Sequence, residues 1–285
     1  MEPALQSLVQ ALSLEQLEEN LFRGAISDTH VQRVYGGKVL GEAIEAAQRT
    51  VEDRAVHSIH AYFLREALSE KPVIYEVDRS RDGRSFAARR VVAIQSGRPI
   101  FTLQASFHLE EPGIEFQEPA PAVPEPNTLE PINFESINLA EATPRMQRIA
   151  NIAAPFEIRP IDSYLGDTGP VPPLRRIWVK TTDSLPEDRD IHRAILAYFS
   201  DYGLISTLLM PHGLKVTSGN LFMASLDHAM WFHRPFKMDD WLLYVCEGVT
   251  SAGARGLAKG SFYDENGELV VSVAQEGLMR VMEHK

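Results

Sequence analysis

An α+β protein of two tandem units, each a helix wrapped by an antiparallel sheet, is the fold class that this 285-residue sequence predicts. Three observations carry the prediction. Residues 57–65 (HSIHAYFLR) are echoed by residues 225–236 (SLDHAMWFHRPF). Both are followed by one plan, three β-runs separated by turns: KPVIYEVDRS, Asp82-Gly83, SFAARRVVAIQ, Ser96-Gly97 and IFTLQASF upstream; DDWLLYVCEGV, a turn near Gly253, ARGLAKGSFYD, Asn266-Gly267 and ELVVSVAQEGL downstream. The offset of roughly 170 residues is far longer than the period of solenoid repeats, so each copy has the length for a core of its own.

The elements follow in order. Leu5, Leu8, Val9 and Leu12 stand at helical spacing within residues 3–13, and residues 14–24 lead into a first strand around Leu21-Phe22-Arg23. After Gly36-Gly37, Leu40, Ala43, Ile44, Ala47 and Val51 recur along one stripe of an amphipathic helix. Downstream, Ile191, Ala194, Ile195, Tyr198, Phe199 and Tyr202 keep the same period, with Asp190 as the expected N-cap and Pro186 just before it. Between the copies, residues 111–131 are rich in proline and acidic side chains around EPAPAVPEPN, the composition of a semi-rigid, polyproline-like linker. The expected division is a first unit over 1–110, a linker over 111–150 and a second unit over 151–285. Long alternating strands joined by tight turns make the sheets antiparallel.

Composition excludes several classes. A hydrophobic share of 44% with 24% charged residues is that of a folded soluble chain. A net charge of -11 argues against nucleic acid as the main partner, because phosphate binding needs a surplus of Lys and Arg. The single cysteine, Cys246, sits in the apolar run WLLYVCEG and reads as a buried, inert thiol, with no disulfide and no thiolate metal cluster. No uninterrupted apolar run approaches the ~20 residues that span a bilayer, and the amino terminus carries charge where a signal peptide needs an apolar core. Glu283, His284 and Lys285 form no recognisable sorting address. A reduced, cytoplasmic setting without membrane insertion is the expectation.

The strings VYGGKVLGEA, HSIHAYFLR, RDGRSFAARR, DHAMWFHRPF and AQEGLMR, in that order and over nearly the whole chain outside the linker, resemble the bacterial acyl-CoA thioesterase II family of double hotdog enzymes. The resemblance implies two hotdog units, hydrolysis of acyl-CoA to fatty acid and CoA, and no cofactor or metal. It also implies a working group of an Asp, a Ser or Thr, and a Gln, which falls here on Asp201, Ser225 and Gln275. Since a double unit already mimics a dimer of single hotdogs, further self-association into a homo-oligomer through sheet edges or faces is expected.

Without the resemblance the same residues have plainer alternatives. Asp201 falls beside the apolar stripe near a helix end, where partial desolvation would raise its pKa toward that of a useful base; a solvated helix-end aspartate is the alternative. Gln275 shares a strand face with Leu269, Val271 and Val273. A buried amide needs partners, which backbone groups can also supply. Gln104 in the first copy leaves open that glutamine merely echoes the fold. Ser225 alone is an ordinary serine. Gly83-Arg84-Ser85-Phe86-Ala87 superficially resembles a nucleophile elbow, but it lies between two strands and reads as a hairpin. His60 and His228 recur in both copies, which points to fold maintenance together with Trp231, Phe232 and Pro235. His57 does not recur and is the second candidate base. Arg65, Arg84, Arg89, Arg234 and Arg255 are candidates for the CoA phosphates. An enoyl-acyl hydratase and a non-catalytic acyl-CoA binder are the competing readings. The first would want an Asp/His pair that the helix lacks, and the second has no use for a water-holding trio.

Overall fold

The computed structural model describes residues 1–26, 32–133, 142–162, 169–216 and 220–282; Glu283, His284 and Lys285 lie outside them. In chain order the elements are α1 (Pro3–Leu12), β1 (Glu15–Glu18), β2 (Leu21–Arg23), α2 (Gly36–Gln48), β3 (Ala55–Phe63), β4 (Ile74–Asp82), β5 (Phe86–Gln95), β6 (Arg98–His108), α3 (Pro144–Ala153), β7 (Phe156–Pro160), β8 (Leu174–Thr181), α4 (Arg189–Ser200), β9 (Leu221–Ser225), β10 (Asp227–Phe232), β11 (Leu242–Ala252), β12 (Arg255–Tyr263) and β13 (Leu269–Val281). The strands form one antiparallel sheet in the order β1-β2-β4-β5-β6-β3-β10-β13-β12-β11-β8-β7, with β9 added to β13. The order 4-5-6-3 is mirrored by 10-13-12-11, and the halves join where β3 pairs with β10, Tyr62 opposite Asp227 and Ser58 opposite Trp231. Each half wraps one central helix, α2 or α4, which is the double hotdog architecture.

The two central helices run antiparallel against each other because α2 offers glycine along its contact line. A Cβ at Gly37 would stand 2.2 Å from the Tyr198 carbonyl oxygen, and one at Gly41 would stand 2.8 Å from that of Ala194. Backbones that close exclude any side chain between them. Consequently nearly every residue of α2 is buried, as befits a helix enclosed on all sides. The N-terminus of α2 thereby meets the C-terminus of α4, and this junction positions the site described below.

Local details refine the expectations. Asp188, rather than Asp190, caps α4: its side chain accepts from the Asp190 N–H at 3.0 Å. The helical stretch Arg189–His212 is long and apolar enough to cross a membrane by length and composition, yet it is mostly buried inside the fold. It is broken after Ser200, where Gly203 takes φ +72° under the Arg175 guanidinium, before a 3₁₀ helix over Ile205–His212. The linker lies against the second half: the Trp178 indole donates to Pro124 O (2.9 Å) and Arg159 donates to Pro126 O (2.8 Å). Val123 and Leu129 thereby cover a small outer cluster of Trp178, Trp241, Leu243 and Val245. α3 runs across position 150.

Strand register overturns the pairing of the two histidines. His228 is buried, while His60 faces outward against the Trp231 ring at 5.3 Å. A one-residue slip between the copies flips the face, so the shared letter does not mark a shared position. Gln104 is likewise exposed, whereas Gln275 is fully buried, so the first-copy glutamine is no echo of it. Asp82-Gly83 closes the β4–β5 hairpin through a Gly83 N–H bond to Phe86 O (2.8 Å), and Ser85 sits on no strand-to-helix turn.

Candidate active site

Asp201 is the C-cap of α4, directly after a run of buried residues from Ala194 to Ser200. Its Oδ1 accepts from Gln275 Nε2 at 2.6 Å and from Ser225 Oγ at 3.4 Å; its Oδ2 accepts from the backbone N–H of Gly37 at 3.0 Å. Gln275 Nε2 also donates to Ser225 Oγ at 3.0 Å. Four elements therefore converge: the end of α4, β9, β13 and the first turn of α2. Strand alternation turns Gln275 inward on β13, and the Gly277–Ser225 pairing of β9 with β13 brings the hydroxyl alongside.

Burial pushes the Asp201 carboxyl up from the ordinary aspartate range to about 6, against the opposing pull of Gln275, Gly37 and Ser225 and of the Arg148 charge. A carboxylate held there is mostly ionised at neutral pH and still basic enough to take a proton from water. His57 is elsewhere. Its ring is 2.8 Å from Ser106 Oγ, packs on Phe86 and His108, and has its pKa lowered by burial and then by His108. His228 Nε2 meets Ser200 Oγ at 2.8 Å, and burial lowers its pKa to about 3, so it stays neutral inside the second half. Burial likewise raises the Cys246 thiol, which keeps it protonated. Among the described residues no group of three or more His, Cys, Asp or Glu is arranged to hold a metal.

Asp201 and Ser225 line a cavity of about 630 Å³, while Gln275 stands behind them and reaches it only through them. One wall comes from the first half and α3, with Tyr35, Gly36, Val39, Phe63, Arg65 and Arg148. The other comes from the second half, with Ile205, Phe222, Met223 and Leu278. Of the arginines singled out in the sequence, only Arg65 lines this cavity. Arg89 is instead buried at 2% exposure, and its guanidinium donates to Thr50 Oγ1, Thr50 O, Arg81 O, Ala88 O and Asp82 Oδ1, which leaves nothing for a ligand. Arg234 is held by Leu269 O and Glu115, and Arg255 by Glu276; Arg84 is exposed at the hairpin tip.

The family resemblance pointed to Asp201, Ser225 and Gln275 in the second copy, and the sequence reading missed what the first copy adds. Gly37 holds Asp201 across 164 positions of sequence, and a Cβ on Gly36 would stand 2.9 Å from Asp201 Oδ2. The doubled glycine opening α2 was the available signal. Arg148 was invisible, because it lies on a helix inside the stretch read as linker.

Residues 154–278 match the acyl-CoA thioesterase family and residues 26–108 match the acyl-CoA thioesterase N-terminal domain. The chain is 40% identical to human acyl-coenzyme A thioesterase 8, over 95% of this chain and 88% of that protein. It is 37% identical to acyl-CoA thioesterase 2 of Haemophilus influenzae, over 99% of this chain and all of that protein. The crystal structure of an acyl-CoA thioesterase II from Mycobacterium marinum superposes with a TM-score of 0.77 at 36% identity, covering 96% of this chain and 98% of the other. Such identity, sustained across both halves and the strap between them, means that the chain belongs to the acyl-CoA thioesterase II family.

Proposed function

We propose that this chain hydrolyses acyl-CoA thioesters to free acid and CoA by direct attack of a water that Asp201 activates. One observation carries the reading: a half-buried carboxylate, clamped by Gln275, Ser225 and Gly37, opens onto a cavity whose far wall is apolar. A thioester carbonyl is electrophilic and its thiolate leaves readily, so positioning a water supplies much of the acceleration. Asp201 takes one proton as the water oxygen bonds to the carbonyl carbon; the C–S bond then breaks and the proton passes to the departing sulfur. Ser225 Oγ, beside Asp201, orients the water. Gln275 is a positioning residue that fixes both. The oxyanion formed in the attack would face the N-terminal end of α2 at Gly36, where helix N–H groups favour negative charge. The acyl chain would lie along Ile205, Phe222, Met223 and Leu278.

Release of free thiol from a panel of acyl-CoAs tests this. Asp201→Asn is expected to lower kcat by roughly 10²–10⁴, the usual worth of a general base. In the wild type, kcat/KM should fall below a pH of about 6 as Asp201 becomes protonated. Undiminished thiol release in Asp201→Asn would remove the mechanism.

A further inference from the structure

The cavity carries five arginines, Arg33, Arg65, Arg145, Arg148 and Arg175, against two carboxylates, Glu66 and Asp201. That surplus stands out in a chain of net charge -11. Arg175 is accounted for: it donates to Tyr202 O (2.7 Å) and lies over the Tyr202 ring, closing the carbonyl end of α4. The other four share one wall. Arg33 pairs with Glu66 (2.9 Å), Arg65 donates to Pro99 O (2.6 Å) and Arg148 to Val34 O (3.3 Å). Arg145 has no ion-pair partner among the described residues.

These arginines repel one another. Burial and then the Arg148 charge lower the Arg145 pKa, and the Arg33 charge works in the same direction on Arg148. Of the four, Arg148 is the one whose charge acts on Asp201. Held like charges are unfavourable until an anion sits among them, and a guanidinium fork matches phosphate oxygens. A diphosphate on a flexible arm from a thioester at Asp201 would meet complementary charge on this wall, and the apolar wall is left to the acyl chain.

We propose that Arg33, Arg65 and Arg145 form the receptor for the phosphates of coenzyme A and set the preference for CoA esters over thioesters of the same acyl group that lack them. The assignment rests on the hydrolase reading above for where the thioester lies. Its test is the ratio of kcat/KM for an acyl-CoA to that for the matching acyl N-acetylcysteamine ester, which ends before any phosphate. Arg65→Gln and Arg145→Gln should each lower this ratio by about tenfold, through KM, the scale of one charge-assisted hydrogen bond. The triple variant with Arg33→Gln should lower it further. Glu66→Gln, which releases Arg33, should raise it. A ratio within about twofold of wild type in the triple variant, or equal losses on both esters, would overturn the proposal. Calorimetric binding of desulfo-coenzyme A separates the two readings: weaker binding in the triple variant upholds the receptor even if neither ester is hydrolysed, and unchanged binding refutes it.

Discussion

The two halves bury opposite charges at matching places beneath their central helices. Three positions beyond Ala47 on α2 comes Thr50; three beyond its counterpart Tyr198 on α4 comes Asp201. Eight positions past the turn glycine Gly97 lies Ala105, opposite Arg89; eight past Gly267 lies Gln275, opposite Ala258. The long polar side chain has changed strands. In the first half Arg89 reaches Thr50 and spends its N–H groups on oxygen acceptors, so the position is filled and closed. In the second half Ala258 is small, Gln275 reaches across to Asp201, and the carboxylate keeps a face on the cavity. One fold can therefore either satisfy a buried charge or leave it partly unsatisfied, and in the proposed mechanism only the second arrangement supplies a base.

The sharpest test of that contrast is stability. Arg89→Met removes a buried guanidinium that donates to Thr50 Oγ1 and Thr50 O, leaving those buried acceptors unpaired, and should destabilise the protein by about 3 kcal/mol in urea unfolding. At temperatures where the variant stays folded, thiol release should persist, since Arg89 does not line the cavity. A variant as stable as wild type would show that the first half does not depend on its filled position.

Much of this organisation was legible in the sequence, for reasons that name the limits too. The 3.6-residue stripe located both central helices and put Asp201 at an edge of one. Period-two alternation buried Gln275. Glycine turns at Ser96-Gly97 and Asn266-Gly267 aligned the hairpins, with Ser96 and both glycines at positive φ. Register between strands was not legible to one residue, because bulges at Val56/Ser58 in β3 and near Tyr263 in β12 shift the count without any mark in composition. Without that register His60 and His228 look equivalent, and nothing local tells that Arg89 on β5 faces inward. The clamp from Gly37 depends on helix approach across the two copies, which no local pattern records. Asp188 took the cap from Asp190 because an N-cap is decided by where helical backbone begins, and acidic neighbours two positions apart are equivalent until then.

The second test runs in the opposite direction. With its folded pKa raised to about 6, Asp201 favours the native state fully only below the unfolded aspartate value near 4, and that contribution is lost as pH rises through about 6. At pH 8 the buried charge is a burden of about 2–3 kcal/mol. Asp201→Asn, with the Gln275 amide turned to present its oxygen, should therefore be more stable than wild type by roughly 1–3 kcal/mol at pH 8 and not at pH 4. A thermal denaturation series over that range checks both the sign and the window. Stabilisation that persists at pH 4 would mean that something other than charge burial is responsible.

The smallest effect concerns the hydroxyl. Ser225 donates weakly to Asp201 at 3.4 Å and accepts from Gln275 at 3.0 Å, so it bridges the two groups on one side only. Ser225→Thr keeps the oxygen and adds a methyl on a cavity-lining strand, where β-branching suits the backbone, and should change kcat/KM by less than about threefold. Ser225→Ala deletes the bridge: with about 1 kcal/mol of hydrogen bonding gone, activity should fall by roughly fivefold. Loss of that donor also removes one of the bonds that hold the Asp201 carboxyl down. The acid limb of the pH profile should accordingly move upward in Ser225→Ala and stay in place in Ser225→Thr. An unmoved limb in the alanine variant would detach the hydroxyl from the base and leave Gln275 and Gly37 as its only clamps.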